Sequence, residues 1–150
     1  MGHYYQNFAK FCVMSDINFS LNSIGNAAKQ VASVLEIGLP LLLYGEMGAG
    51  KTTLTKHIIG ALGCKEEVTS PTFTIMQSYL TQRGTLWHID LYRLDEHHID
   101  ELGLDELSRD NMLIIEWPQR LGSRLFPKYI KGNLSVHSDE NRNLSFDIVK

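Results

Sequence analysis

Leu39–Tyr44 and Met112–Ile115 are apolar without alternation, and such runs predict strands buried on both faces, as in a parallel sheet covered by helices. Elsewhere apolar and polar residues alternate. Ile17–Leu21 predicts a short edge strand. Phe73–Leu80 and Thr85–Ile89, joined by Thr81-Gln82-Arg83-Gly84, predict one hairpin; Lys131–His137 and Leu144–Val149, separated by the polar Ser138–Asn143, predict another near the C-terminus. Helical spacing takes over at Ile24, Ala27, Ala28, Val31, Ala32 and Leu35, with Ser20 or Asn22 placed to cap the helix and Gly38 to end it. A second helix is predicted over Thr52–Leu62, closed by Gly63. Glu96–Ser108 carries Ile99, Leu102, Leu104 and Leu107 among acids, which predicts one or two short helices broken near Gly103, solvated on the acidic face or serving a partner. Gln119–Phe126 predicts a further short helix. Strands and helices in this succession place the chain in the α/β class.

Composition changes this picture little. A chain of 150 residues suits a single domain over residues 1–150, with residues 1–15 expected as an extended or disordered arm. The formal charge of -3 argues against a protein that grips nucleic acid by charge alone. Cys12 and Cys64 lie far apart without a pairing pattern, which predicts a reducing, cytoplasmic setting. No apolar run approaches the roughly 20 residues of a membrane span, and Met1–Met14 lacks the apolar core and cleavage site of a signal peptide. No histidine pairing at zinc-ligand spacing appears, and His97 and His98 read as solvated.

The chemistry enters between the first buried strand and the helix after it. Gly45-Glu46-Met47-Gly48-Ala49-Gly50-Lys51-Thr52 has the form G-x-x-x-x-G-K-[ST], the phosphate-binding P-loop. Its glycines let successive backbone N–H groups turn toward one anion. Lys51 reaches terminal phosphates as a point charge, the Thr52 hydroxyl suits Mg²⁺, and the helix N-terminus adds free N–H groups and a positive dipole end. Together these predict a P-loop NTPase-like α/β fold. Thr69, Ser70 and Thr72 lie in a stretch that reads equally as an ordinary turn or as a switch loop sensing a γ-phosphate. In Trp87–Asp90, alternation sends Trp87 and Ile89 to one face and His88 and Asp90 to the other. Asp90 at its strand end is a candidate for metal or water, or a loop cap; His88 is a functional candidate or a half-buried structural histidine. Glu116 ends the second buried run as an acid beyond the strand, where ligands of open α/β sheets sit. Trp117 reads as a wall of the site or a packing residue, and Pro118 stops the strand.

Taken together, GEMGAGKT, SPTF (Ser70–Phe73), HIDLYRL (His88–Leu94), LGLDEL (Leu102–Leu107) and IEWPQR (Ile115–Arg120) resemble the bacterial TsaE (YjeE) family, over roughly Leu39 to Arg120. The resemblance implies a P-loop NTPase-like three-layer fold with a mixed, partly parallel central sheet, and a weak ATPase needed for N6-threonylcarbamoylation of adenosine 37 in tRNAs reading ANN codons. It implies ATP and Mg²⁺ as cofactors and the TsaB–TsaD heterodimer as partner, with tRNA met only through that complex. On that pattern Thr52 and Glu116 hold Mg²⁺; Met47, Gly48, Ala49, Gly50, Lys51, Thr52 and Thr53 hold the phosphates; Lys51, Asp90 and Glu116 are the catalytic candidates; and Thr72 belongs to a switch-like loop. The family's adenine pocket involves its N-terminal strand and C-terminal region, to which Ser20 and Arg142 are assigned here. Arg93 and Arg120 are candidates for an arginine finger in cis. The alternative is a P-loop small-molecule or nucleotide kinase, though no insertion suits an acceptor pocket or lid. A guanine-reading Asn-Lys-x-Asp pattern is absent, which disfavours a GTPase.

Overall fold

The computed structural model describes residues 14–69, 74–122, 124 and 126–150. The expectations for the arm up to residue 13, for Cys12, and for Ser70, Thr72 and Phe73 lie outside the described residues; residues 14 and 15, expected in that arm, instead pair as part of the first strand.

One seven-stranded sheet organises the chain. In chain order its elements are β1 (Met14–Ser20), α1 (Ile24–Val34), β2 (Leu41–Tyr44), α2 (Lys51–Ala61), β3 (Met76–Thr81), β4 (Gly84–Asp90), α3 (Glu96–Glu101), α4 (Leu104–Asp110), β5 (Met112–Glu116), β6 (Tyr129–Val136) and β7 (Asn141–Val149). The strand order is β1-β7-β6-β2-β5-β4-β3. The pairs β6/β2, β2/β5 and β5/β4 are parallel, whereas β1/β7, β7/β6 and β4/β3 are antiparallel. The sheet is therefore mixed, with a parallel centre and antiparallel flanks.

The two apolar runs occupy that centre. Leu41 and Leu43 turn to one face, packed with α1 and α2 through Ala28, Val31, Leu54 and Ile58. Leu42, Leu113 and Ile115 turn to the other, packed with Ile99 of α3, Leu104 of α4, Leu121 and Phe126. Burial on both faces is why these strands lack alternation. The outcome is the three-layer α/β arrangement expected.

Both hairpins form. The first turns through Gln82 and Arg83 alone, and Arg83 donates from Nη1 to the carbonyl of Ala32 at 2.6 Å and from Nη2 to that of Leu35 at 2.8 Å. This pins the hairpin to the C-terminus of α1, where a cation also meets the negative end of the helix dipole. α1 starts later than the cap candidates imply: its N-cap is Ser23, whose Oγ accepts the Ser20 N–H at 2.9 Å, after a 3₁₀ turn over Leu21–Ser23. The helix expected over Gln119–Phe126 is instead a 3₁₀ turn, Pro118–Leu121, stopped by Gly122 in a conformation a continuing helix cannot adopt. His97 and His98 are exposed as expected. None of the described helices is long and apolar enough to cross a membrane.

Candidate functional site

The P-loop runs from the end of β2 into α2. Gly48 and Gly50 have φ of 81° and 101°, left-handed values that a side chain resists, and these two turns carry the loop round to present its backbone. Gly45 is needed for a different reason: a Cβ there would lie 2.8 Å from the backbone carbonyl oxygen of Leu134 on β6. The Ala49 N–H closes a turn on the carbonyl of Glu46 at 3.1 Å. The first N–H groups of α2 have no acceptor within the helix, and a helix N-terminus of this kind suits an anion.

Lys51 is buried, with 5% of its surface exposed, and its Nζ donates to the carbonyls of Gly45 at 2.5 Å and Glu46 at 3.0 Å. Burial lowers its pKa, and the nearby charges of Glu116 and Asp90 oppose that shift. Its Nζ also lies 4.2 Å from the ring centroid of Trp117, which in turn packs against Tyr92 at 4.9 Å. Trp117 has a φ of 57°, an unusual backbone state for a bulky residue. Both of its sequence readings hold: Trp117 lines the cavity and packs against the second core cluster.

Asp90 and Glu116 are register partners at the ends of the parallel strands β4 and β5. Glu116 is only 2% exposed, and the Thr52 hydroxyl donates to its Oε1 at 3.1 Å, with Oε2 at 3.3 Å. His88 Nε2 also meets Oε2 of Glu116. Asp90 is less enclosed. Its Oδ1 accepts the Tyr92 N–H at 2.9 Å, so it caps the following turn while facing the site, and its own N–H donates to the Ile75 carbonyl at 2.9 Å. Burial, more than any other cause, raises its carboxyl pKa above the usual value; the Tyr92 N–H opposes this, and Glu116 adds to it.

These groups line a cavity of about 490 Å³ that also includes Met47, Thr53 and Arg93. A second cavity, of about 520 Å³, opens on the other side of the same loop. Ser20, Ile24, Ala49, Asp139 and Arg142 help to form its walls. Arg142 Nε donates to the Ala49 carbonyl at 3.0 Å across 93 residues of sequence, and its Nη1 donates to the Ser138 carbonyl at 2.9 Å. Ser20 and Arg142, assigned together on resemblance, thus stand in one cavity beside the P-loop. Arg93 reaches the first cavity; Arg120 is exposed and lies 5.8 Å from the Tyr92 ring. Thr72 lies outside the described residues.

The donors around Thr52 are hard oxygens, a hydroxyl and two carboxylates, and these fit Mg²⁺. No group of three or more His, Cys, Asp or Glu side chains forms a closed metal cage among the described residues. His88, read from sequence as a functional candidate or a half-buried structural histidine, is fully buried and is the further polar partner of Glu116. Its spacing two residues before Asp90, which puts both on one strand face, is the signal that points to it.

Known proteins resemble this chain along most of its length. The family model described as threonylcarbamoyl adenosine biosynthesis protein TsaE matches residues 19–144. The tRNA threonylcarbamoyladenosine biosynthesis protein TsaE of Rickettsia felis is 40% identical over 119 residues, 78% of this chain and 69% of that protein. The protein of the same name from Treponema pallidum is 38% identical over 118 residues, 77% of this chain and 86% of that protein. The crystal structure of YdiB from Bacillus subtilis superposes with a TM-score of 0.69 at 28% identity, covering 91% of this chain and 88% of that one.

Proposed function

The chain belongs to the TsaE family, which serves threonylcarbamoyladenosine biosynthesis in tRNA, and from that premise we propose that it is a Mg²⁺-dependent ATPase acting with the TsaB–TsaD complex. In this reading it supports threonylcarbamoylation of adenosine 37 in tRNAs reading ANN codons, meets tRNA only through the complex, and works in the cytoplasm. The observation that carries the reading is the convergence of Lys51, Thr52, Asp90 and Glu116 on one cavity at the carboxyl ends of parallel strands.

Each side chain has a distinct task. Lys51, held by two neutral carbonyls, trades them for phosphate oxygens, a stronger charge-assisted contact. Thr52 and Glu116 hold Mg²⁺, which neutralises phosphate charge when bound. Asp90 faces the same space from the neighbouring strand and orients the attacking water. The cavity formed with Ser20 and Arg142 receives the adenosine. Catalysis is then positioning and charge neutralisation by groups fixed in advance.

The test is ATP hydrolysis by the purified chain with Mg²⁺, with and without TsaB–TsaD, beside an assay of tRNA modification. Weak turnover alone, raised by the partners and required for modification, is the expected result. Full turnover without partners contradicts the dependence on the complex. Phosphoryl transfer to a nucleoside or metabolite in place of water favours the kinase alternative.

A further inference from the structure

His88 is a charge-capable side chain with no exposed surface, placed among the apolar residues of the sheet. Such burial is costly unless the ring's polar atoms are matched. One is: Nε2 meets Oε2 of Glu116. The other, Nδ1, has no hydrogen-bond partner among the described residues. Because a carboxylate only accepts, the ring proton belongs on Nε2, and Nδ1 is left as a bare acceptor, the cheaper of the two atoms to leave unmatched.

The strand register explains what the contact does. β4 and β5 are parallel, with His88 beside Ile114 and Asp90 beside Glu116. Side chains two apart share a face. Asp90 and Glu116 therefore stand side by side at the rim, and His88 lies one layer below, on the same face. Two neighbouring carboxylates repel and compete for the same ligands. His88 draws one oxygen of Glu116 downward, while Oε1 stays 3.1 Å from the Thr52 hydroxyl. Asp90 has no such tether; its partner is the Tyr92 N–H.

We infer that His88 is a positioning residue: its Nε2–H fixes Glu116 in the orientation that, with Thr52, holds the divalent cation, and so separates the task of Glu116 from that of Asp90. This deepens the ATPase reading above and rests on it. Nothing else among the described residues donates to Glu116 except Thr52, itself a ligand candidate. A second-layer donor of this kind is commonly worth 10–100-fold in metal affinity.

The experiment compares His88→Leu, which removes the donor at similar volume, with His88→Gln, whose amide can reach the same carboxylate. The Mg²⁺ concentration for half-maximal ATP turnover is expected to rise at least about tenfold in H88L. It stays within about threefold of wild type in H88Q, and both variants keep wild-type affinity for ADP measured in EDTA. In the metal-free full chain, ¹⁵N-edited NMR of the imidazole is expected to show the proton on Nε2, with a signal that moves in Glu116→Gln. An unchanged Mg²⁺ requirement in H88L overturns the assignment, as does a proton on Nδ1. Equal loss of ADP affinity in both variants also overturns it, since that marks a packing role. Should H88L not fold, H88Q and the imidazole spectrum decide. A wild-type chain without ATP turnover at any Mg²⁺ level, with or without partners, removes the ATPase reading instead, and the metal-free spectrum still decides His88.

Discussion

The two cavities share the backbone of the P-loop and differ in how their other walls are made. On one side stand Lys51, Thr52, Asp90 and Glu116, ionisable or hydroxyl side chains from α2 and from two adjacent parallel strands. On the other side a strand end and a hairpin turn approach the loop, and Arg142 grips it through the Ala49 carbonyl. The first cavity gathers its charged groups at strand ends and a helix start, whereas the second sets apolar Phe19, Leu21 and Ile24 beside Asp139, Glu140 and Arg142 from the hairpin turn. Chemistry is therefore expected to depend on the first and affinity on the second, and the separation can be tested by substitutions that damage one without the other.

The largest effect is expected from Lys51→Ala and Glu116→Ala. In the proposed reading each removes a charge aimed at the phosphates or their cation, and turnover should drop by about 100-fold or more, with circular dichroism showing a retained fold. Retained turnover in a folded variant breaks the assignment of chemistry to that side. Arg142→Ala comes next. It loses a charge-assisted contact to Ala49 and should raise the Michaelis constant for ATP by about tenfold, with a much smaller change in kcat. A fall in kcat as large as that of Glu116→Ala would erase the distinction between the cavities. Arg83→Ala serves as a control outside both. Losing two charge-assisted bonds to the end of α1 should cost about 1–2 kcal/mol of folding stability, read from urea unfolding, and leave the Michaelis constant unchanged.

The smallest effect sharpens the first cavity alone. Asp90 has a folded-state pKa raised chiefly by burial. The folded protein thus binds that proton more tightly than the unfolded chain, and the ionised carboxylate subtracts stability above the raised pKa. The cost fades as pH falls through the folded value toward the ordinary 3.8. Asp90→Asn keeps the acceptor for the Tyr92 N–H and removes the charge. It should melt slightly higher than wild type at neutral pH, with the gap closing on acidification, while turnover falls. A gap that widens in acid would reverse the sign assigned to Asp90.

How much of this was legible in the sequence follows the same division. The first cavity is built from short-range signals: a glycine pattern fixes Lys51 and Thr52 within one loop, and an acid after an apolar run places Glu116 at a buried strand's end. The hairpins announce themselves through turn residues and alternation. The long-range pairings do not. Nothing local says that β6 inserts beside β2 in parallel, while its hairpin partner β7 turns outward to β1. Ser20 and Arg142 carry no local signal, and resemblance alone assigned them to one pocket. The link between His88 and Glu116 depends on the β4/β5 register, which two separate runs of sequence cannot declare. The helix expected after Pro118 fails because Gly122 adopts a left-handed φ of 63° that ends the turn.

The grip of Arg142 on Ala49 also sets an order of events during synthesis. The P-loop leaves the ribosome some 93 residues before the arginine that holds it, and β2 must wait for β5 before one edge is paired and for β6 before the other is. A nascent chain carrying the whole phosphate motif therefore has a loop without its clamp and a strand without its neighbours. The second cavity beside the loop is completed only when β7 arrives with Arg142, so on the proposed reading nucleotide would favour the late steps of folding over the early ones. The signature is printed early in the chain, and the ability to use it comes late.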